Sequence, residues 1–429
     1  MVNSLVLNAS TKNSPIFFTG AIFLMSILLH QSSEVFGVNF SFADFFCIII
    51  FVVLVYKNQF VIPFTPVLFF LIVSIVVLVT AVFYIPFKLM YYPAPIRIIS
   101  DYVKLLAIFM YFIIGYNLSN TPFLEKTLKW YSLFGLLIGG IGILFIIFNI
   151  HVFSQVLFFG GTRFRGLMND PNYFSVLNVS ALVYISRLKT IKTRYKFLAF
   201  SVILLSVFTT GSKTGIITFI GYFSIRLVEY LFTSKKKLTT LITQLFIALI
   251  MVLIVPITFN SLQNVLNAAA TTMPSFSRIL FLFTDFMDAI SVGGSGRDAT
   301  WKVAFQVIQL SPLIGIGIGM YSSIASGLFQ FNNIAHNTFL QLSAEWGLFL
   351  TFGLFFYLFI IMGKVTFSRS SNSETNLILR DIIIIFLIGS MAISLNNARV
   401  LWFFIGALVS KLDRNRKESS EKNSVDLDI

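Results

Sequence analysis

Apolar residues in this chain come in long runs separated by short polar interruptions, and that alternation sets the architecture before any motif is considered. Runs of about 17 to 25 apolar residues suit helices crossing the roughly 30 Å hydrocarbon layer of a bilayer. Twelve spans are expected, near 16–30, 40–56, 65–85, 98–117, 130–150, 172–186, 196–211, 214–232, 239–259, 337–361, 378–394 and 397–411. The expected fold class is an all-α polytopic membrane protein, one integral domain over residues 1–429 without a separate soluble domain. Two water-facing loops stand out by length, 151–171 and 260–335, and a charged tail follows at 412–429. In the longer loop Gly293-Gly-Ser-Gly296 precedes a helical pattern and Ser311-Pro312 ends it. Trp301, Ala304, Phe305 and Ile308 recur there at helical spacing, which predicts an amphipathic helix over 297–309 with Arg297 in its first turn.

Composition sharpens this. Hydrophobic residues make up 57% and charged residues 11% of the chain, outside the range of water-soluble globular proteins. Cys47, the lone cysteine, forms neither an intrachain disulfide nor a multi-cysteine metal site, and no metal-ligand cluster is expected. Lys12 ahead of the first run resembles the start of a signal peptide, but no small-residue cleavage site follows, so a retained first helix is expected. The net charge of +14 would suit nucleic acid, yet the lysines fall in short loops between spans, where bilayer orientation explains them; no nucleic-acid partner is expected. With both termini cytoplasmic, 21 of the 31 basic residues lie inside, 14 lysines and 7 arginines, against 6 arginines and 4 lysines outside. Orientation alone needs few positive charges outside. A guanidinium grips phosphate with two parallel hydrogen bonds, so an arginine-rich outer face points to a phosphorylated ligand there.

The candidate residues follow from that reading. Arg163 and Arg165 flank Phe164 in the shorter loop, and Asn169-Asp170-Pro171-Asn172 supplies a turn that caps the sixth span. Thr209-Thr-Gly211-Ser-Lys213-Thr-Gly215 makes a tight outer turn, and Asn396-Asn-Ala-Arg399 opens the twelfth span. Arg163, Arg165, Lys213, Arg297 and Arg399 are thus candidates to line one anion pocket, with lipid-headgroup contact or neutralisation of nearby acids as the plainer alternative. Gly315, Gly317 and Gly319 lack the βαβ context of a nucleotide loop and suit either close backbone approach to a ligand or a re-entering helix, or an ordinary turn. Of His30, His151 and His336, only His336 sits among asparagines (Asn332, Asn333, Asn337) and is followed, nine positions on, by a carboxylate in an apolar run, Glu345. An intramembrane carboxylate marks a paired or functional site, and an imidazole that is neutral near pH 7 can take a proton from an attacking hydroxyl; a purely structural histidine is the alternative.

Arg165-Gly166 with Asp170-Pro171-Asn172, Gly211-Ser-Lys213-Thr-Gly215, Arg297 with Trp301, Pro312 and Gly315-x-Gly317, and His336-Asn337 with Leu340, Glu345 and Gly347 resemble the O-antigen ligase and polymerase superfamily in order and spacing, over roughly residues 160–360. The resemblance implies a lipid-sugar glycosyltransferase (GT-C-like) fold in the bacterial cytoplasmic membrane, without metal or other cofactor, acting on undecaprenyl-diphosphate-linked glycan at the outer face. Arg297 and Arg165 would grip the diphosphate, with Arg163, Lys213 and Arg399 beside them, and His336 would deprotonate the acceptor hydroxyl. Glu345, Asn337, Asp170 and Asn172 are the candidate sugar contacts. Lys213 departs from the arginine that many ligases carry in this turn. The expected activity is polymerisation of repeat units into O-antigen or capsular polysaccharide; the alternatives are a ligase, a flippase or a non-catalytic scaffold. Expected partners are lipid-linked donor and acceptor glycans, membrane lipids, a chain-length regulator and a flippase.

Overall fold

The computed structural model describes residues 16–35, 38–92, 94–150, 152–233, 296–367 and 373–425, together with residues 239, 242, 275 and 278. Apart from residues 239, 242, 275 and 278, the ninth expected span and the first part of the longer loop, 260–295, lie outside the described residues, as do His151 and Lys235 to Lys237. The helices are α1 (Ile16–Leu28), α2 (Phe42–Tyr56), α3 (Phe64–Val79), α4 (Ile85–Leu89), α5 (Pro95–Leu118), α6 (Phe123–Ile147), α7 (Ser154–Leu157), α8 (Pro171–Arg187), α9 (Thr193–Thr209) and α10 (Lys213–Thr233). They continue as α11 (Arg297–Leu310), α12 (Tyr321–Phe329), α13 (Thr338–Phe367), α14 (Glu374–Ser390) and α15 (Arg399–Val425). Two short antiparallel ribbons complete the described chain, β1 (Ser33–Val35) with β2 (Val38–Phe40) and β3 (Phe158–Phe159) with β4 (Arg163–Phe164).

The chain is therefore a predominantly helical membrane protein. By length and composition four helices suffice to cross a bilayer, Phe64–Leu89, Pro95–Leu118, Phe123–Ile147 and Thr338–Phe367, with Ile16–Leu28 and Phe42–Tyr56 as shorter apolar helices. Phe349, Phe352, Phe356 and Phe359 form an exposed stripe at helical spacing along α13, the surface a lipid-facing helix presents. Elsewhere helices approach closely. A Cβ on Gly115 of α5 would collide with the Phe403 carbonyl of α15, and one on Gly406 with the Phe112 carbonyl, so small residues on both helices bring the two backbones into contact.

Three details depart from the sequence pattern. The expected span 65–85 is broken by a π turn at Thr80–Tyr84 between α3 and α4. Helix α15 runs on to Val425, through most of the expected 412–429 tail. The predicted 297–309 helix is present as α11, but its buried residues are Thr300, Val303, Ala304, Val307 and Ile308, while Phe305 is exposed. Ala304 and Ile308 of the expected stripe are buried, whereas Phe305 lies off the packed face, which is completed by Thr300, Val303 and Val307 instead.

At one end of the bundle lies a dense ion network. Arg187 of α8 bonds Glu229 of α10 (2.6 Å) and Asp381 of α14 (2.7 Å); Arg380 bonds the same two carboxylates (3.0 and 2.7 Å), and Arg226 adds a contact to Glu229 (3.0 Å). Tyr222 donates to Asp381 (3.2 Å) and Arg380 to the Thr366 hydroxyl (3.0 Å), so α8, α10, α13 and α14 are tied together by bonds at nearly every polar atom. Asp381 is 1% exposed, which makes these partners obligatory.

Candidate active site

The other end of the bundle is shaped by the Gly315–Gly319 loop. Helix α13 breaks at Gly347, whose φ of 82° and ψ of 162° lie outside helical space. In an unbroken helix the Ala344 carbonyl would accept from the amide of Leu348; here Ile316 donates to Ala344 (2.8 Å), Gly317 to the Glu345 carbonyl (3.0 Å), and Leu348 turns its own amide to the Pro312 carbonyl (2.7 Å). On its far side the loop donates from Ile318 to Val77 of α3 (3.1 Å), just before the π turn. Irregular backbone inside a membrane protein persists where other protein groups satisfy it, and this loop and the broken helix satisfy each other. Side chains have no room: a Cβ on Gly315 would strike the backbone at Glu345 to Gly347, one on Gly317 the backbone of Ala81, and one on Gly347 the Leu313 carbonyl. The loop therefore approaches a re-entering helix, and it fixes Glu345 and Trp346 in place.

The shorter loop is held by Phe164, which is fully buried and packs edge-on against Phe158 and Phe174. Its two arginines do different work. Arg165 donates to the carbonyls of Val156 (3.1 Å), Asn169 (3.2 Å) and Gln155 (2.7 Å), a clamp on the loop itself. Arg163 is 8% exposed, donates from Nε to the Thr210 carbonyl at the end of α9 (2.9 Å) and reaches the Asn172 side-chain oxygen (3.2 Å). Burial and the nearby Arg278 pull its guanidinium down to about 10, against the opposing pull of Asp170. Asp170 caps α8, accepting from the amides of Asn172 (2.8 Å) and Tyr173 (2.9 Å). Ser212 does the same for α10, accepting from Gly215 (3.0 Å), and leaves Lys213 in that helix's first turn, 9% exposed and facing Arg297 and Arg278. Arg297 donates to the Thr214 hydroxyl (2.9 Å); burial lowers its proton affinity while Asp170 raises it. Arg163 and Arg297 thus face Asp170, with Lys213 beside Arg297, cations in excess of the acid among the described residues.

Beside this cluster lies a cavity of about 270 Å³. Asp170, Asn169, Tyr173 and His336 line the side nearest the cations; Gln341, Glu345 and Trp346 come from α13; Arg97, Asp101 and Lys104 come from α5; and residues 393–399 close the remaining wall. His336 is held at φ +46°, in left-handed space that a non-glycine residue enters only when its surroundings impose it. Its pKa is lowered, chiefly by burial and by Arg297, with Asp170 opposing, so the imidazole is a neutral base at pH 7. Glu345 is 5% exposed, takes a hydrogen bond from the Gln341 amide and faces Asp101, Lys104 and Arg97. Asp101 accepts from Lys104 (2.7 Å) and pairs with Arg97 (3.8 Å).

The structure sorts the expected site residues. It brings His336, Asp170, Glu345 and Arg399 to one cavity and sets Arg163, Lys213 and Arg297 next to it. Arg399 arrives already held by Asp44 in a two-pronged pair (2.5 and 2.7 Å). Arg165 is engaged with its own loop, Asn172 bridges Arg163 to Asp170, and Asn337 is a helix cap: its oxygen accepts from the Leu340 amide (3.1 Å) and its amide donates to the Met391 carbonyl (3.1 Å). His30, equal to His336 by position in the sequence, is buried in the core, stacked on Tyr131 and bonded to that residue's carbonyl (2.9 Å). Sequence reasoning did not place Arg97, Asp101 and Lys104 in the site. Their spacing of four and three residues puts them on one face of α5, a polar stripe in an apolar helix that was the available signal.

No curated protein matches the chain. Residues 198–356 match the family model described as O-antigen ligase, and over that stretch, which holds Lys213, Arg297, His336 and Glu345, the chain is similar to the O-antigen ligase and polymerase superfamily.

Proposed function

We propose that the protein is a membrane glycosyltransferase that joins lipid-diphosphate-linked repeat units into a polysaccharide at the outer face of the bacterial cytoplasmic membrane. The observation that carries this reading is the adjacency of a neutral histidine, a polar cavity and a surplus of desolvated cations. A diphosphate is a good leaving group, so the reaction asks for charge stabilisation, alignment and removal of one proton. The acceptor hydroxyl oxygen attacks the anomeric carbon of the donor, the bond from that carbon to the diphosphate oxygen breaks, and His336 takes the hydroxyl proton. Arg297, Arg163 and Lys213 receive the negative charge that develops on the diphosphate. A mobile water-bound cation cluster would have to reorganise; cations fixed by Thr214, Thr210 and the start of α10 do not. Asp170 keeps the cluster oriented toward His336, and Arg165 holds the loop that delivers Arg163 and Asp170. Both termini lie in the cytoplasm in this reading, which puts the Arg187–Asp381 network at the inner face.

Ligation of a finished glycan to a different acceptor is the second reading, favoured by the description of the matched family. Purified protein given lipid-linked repeat units, with divalent cations chelated throughout, separates them: a ladder of lengthening lipid-linked chains supports polymerisation, and a single transfer to a non-identical acceptor supports ligation. Movement of labelled lipid-linked sugar across vesicles without any new glycosidic bond would replace both with transport.

A further inference from the structure

The cavity has two chemically different sides, and the difference identifies what each side holds. On the side of α8, α10 and α11, cations exceed acids among the described residues. On the side of α5 and α13, Arg97 and Lys104 share Asp101 and face the buried Glu345. That wall is densely polar, and its two cations already share a carboxylate. It offers carboxyl oxygens that accept from hydroxyls, ammonium and guanidinium groups that donate to them, and the ring of Trp346 as an apolar face. Two further atoms await partners: Gln341 Oε1 and Ser394 Oγ are shielded from solvent without a hydrogen-bond partner among the described residues, and both residues line the cavity. Buried polar atoms are ordinarily satisfied, so this pair points to a hydroxyl-rich ligand.

The α5 residues and the 393–399 segment also lie outside the stretch 198–356 that matches the family. Lys213, Arg297, His336 and Glu345 lie inside that stretch, and a wall built largely from elsewhere in the chain is where substrate identity can differ.

We propose that Arg97, Asp101 and Lys104, with Gln341, Glu345 and Ser394, form the acceptor-sugar subsite and select a polyhydroxylated acceptor residue. The proposal rests on the glycosyl-transfer reading above. Lys104 is 12% exposed and Asp101 16%, whereas Arg97 is 47% exposed, so the first two form the floor of the subsite and Arg97 its rim.

The test uses the full-length protein in nanodiscs, with lipid-linked repeat units extracted from the cells that make it. Chain formation is followed as acceptor concentration is varied, and binding of undecaprenyl diphosphate alone is measured in parallel. Asp101→Asn and Lys104→Met are expected to raise the acceptor KM at least tenfold with kcat within threefold, and to bind undecaprenyl diphosphate within twofold of the unaltered protein; Asp101→Glu should recover part of the KM. Retained undecaprenyl diphosphate binding also shows that the variants fold. An unchanged acceptor KM overturns the subsite. So does loss of undecaprenyl diphosphate binding in the α5 variants to the extent seen in Arg297→Gln, which would make this wall part of the phosphate site. If instead His336→Ala and Arg297→Gln both retain full chain formation, the glycosyl-transfer reading itself fails, a result distinct from either of these.

Discussion

The two charged ends of this bundle use the same residue types to opposite effect. At the Arg187–Asp381 end, each carboxylate lies within 3.0 Å of two or three guanidinium donors, and the network joins four helices. At the cavity end, Arg163 and Arg297 face Asp170, and the direct contacts of these two guanidinium groups are to a carbonyl, an amide oxygen and a hydroxyl. The ends are about 25 Å apart along α8, from Asp170 to Arg187, so one helix carries a residue of each. A buried ion paired within the protein fastens helices; a desolvated cation left with neutral partners has its strongest interaction still to make. The contrast is what separates scaffold from site in a chain where both would otherwise be listed as polar residues in a membrane.

The largest effect should come from the fastening end. Asp381→Ala leaves Arg187 and Arg380 without a buried partner and should cost about 3–5 kcal/mol, read as a fall in melting temperature by size-exclusion chromatography after heating, with lipid-diphosphate affinity intact below the transition. Arg297→Gln should do the reverse. It removes a charge-assisted contact worth about 1.5–3 kcal/mol, weakening undecaprenyl diphosphate binding by roughly 10- to 150-fold, and leaves the melting temperature unchanged or higher because a desolvated cation is gone. A Gly347→Ala variant sits between the two. Its φ of 82° and the Leu313 carbonyl in the path of the new Cβ should cost about 1–3 kcal/mol, and kcat should fall because Glu345 and Trp346 move with the break.

The smallest effect is on pH dependence, and its sign is specific. His336 is held below the ordinary histidine value of about 6.5, so activity should persist at pH 6.5 and decline only on further acidification. Arg297 lowers this pKa and Asp170 raises it, so the acid limb should move up in Arg297→Gln and down in Asp170→Asn, as a pH–rate profile at saturating substrate would show. For stability, a depressed pKa means that the unfolded chain takes the proton first as pH falls. The contribution of His336 is thus full above about 6.5 and is lost as pH drops through 6.5 toward the folded value, a slope that His336→Ala should remove.

Much of this was legible in the sequence because bilayer crossing imposes long apolar runs. Outside the ninth stretch, each expected span falls on a helix, and Arg297, Lys213 and His336 stood out as polar residues with unusual neighbours. What hydropathy cannot show is a helix that breaks for its partner's sake: Trp346-Gly347-Leu348 reads as uninterrupted apolar helix, and only the amides of Ile316 and Gly317 reveal why it opens. The division of labour between Arg163 and Arg165 was equally hidden, since it depends on which carbonyls the folded loop presents. Asn337 carried a readable signal that was passed over. An asparagine one residue before a helix is a capping residue first and a sugar ligand second.

The most direct test of the central claim separates holding the diphosphate from removing the proton. Undecaprenyl diphosphate affinity and chain formation from lipid-linked repeat units would be measured side by side for the unaltered protein, His336→Ala and Arg297→Gln. The account predicts that His336→Ala binds undecaprenyl diphosphate normally while chain formation falls by about 10²–10⁴-fold, the range for loss of a general base, and that Arg297→Gln loses affinity as well. Normal chain formation in His336→Ala, or equal loss of diphosphate affinity in both variants, would contradict it.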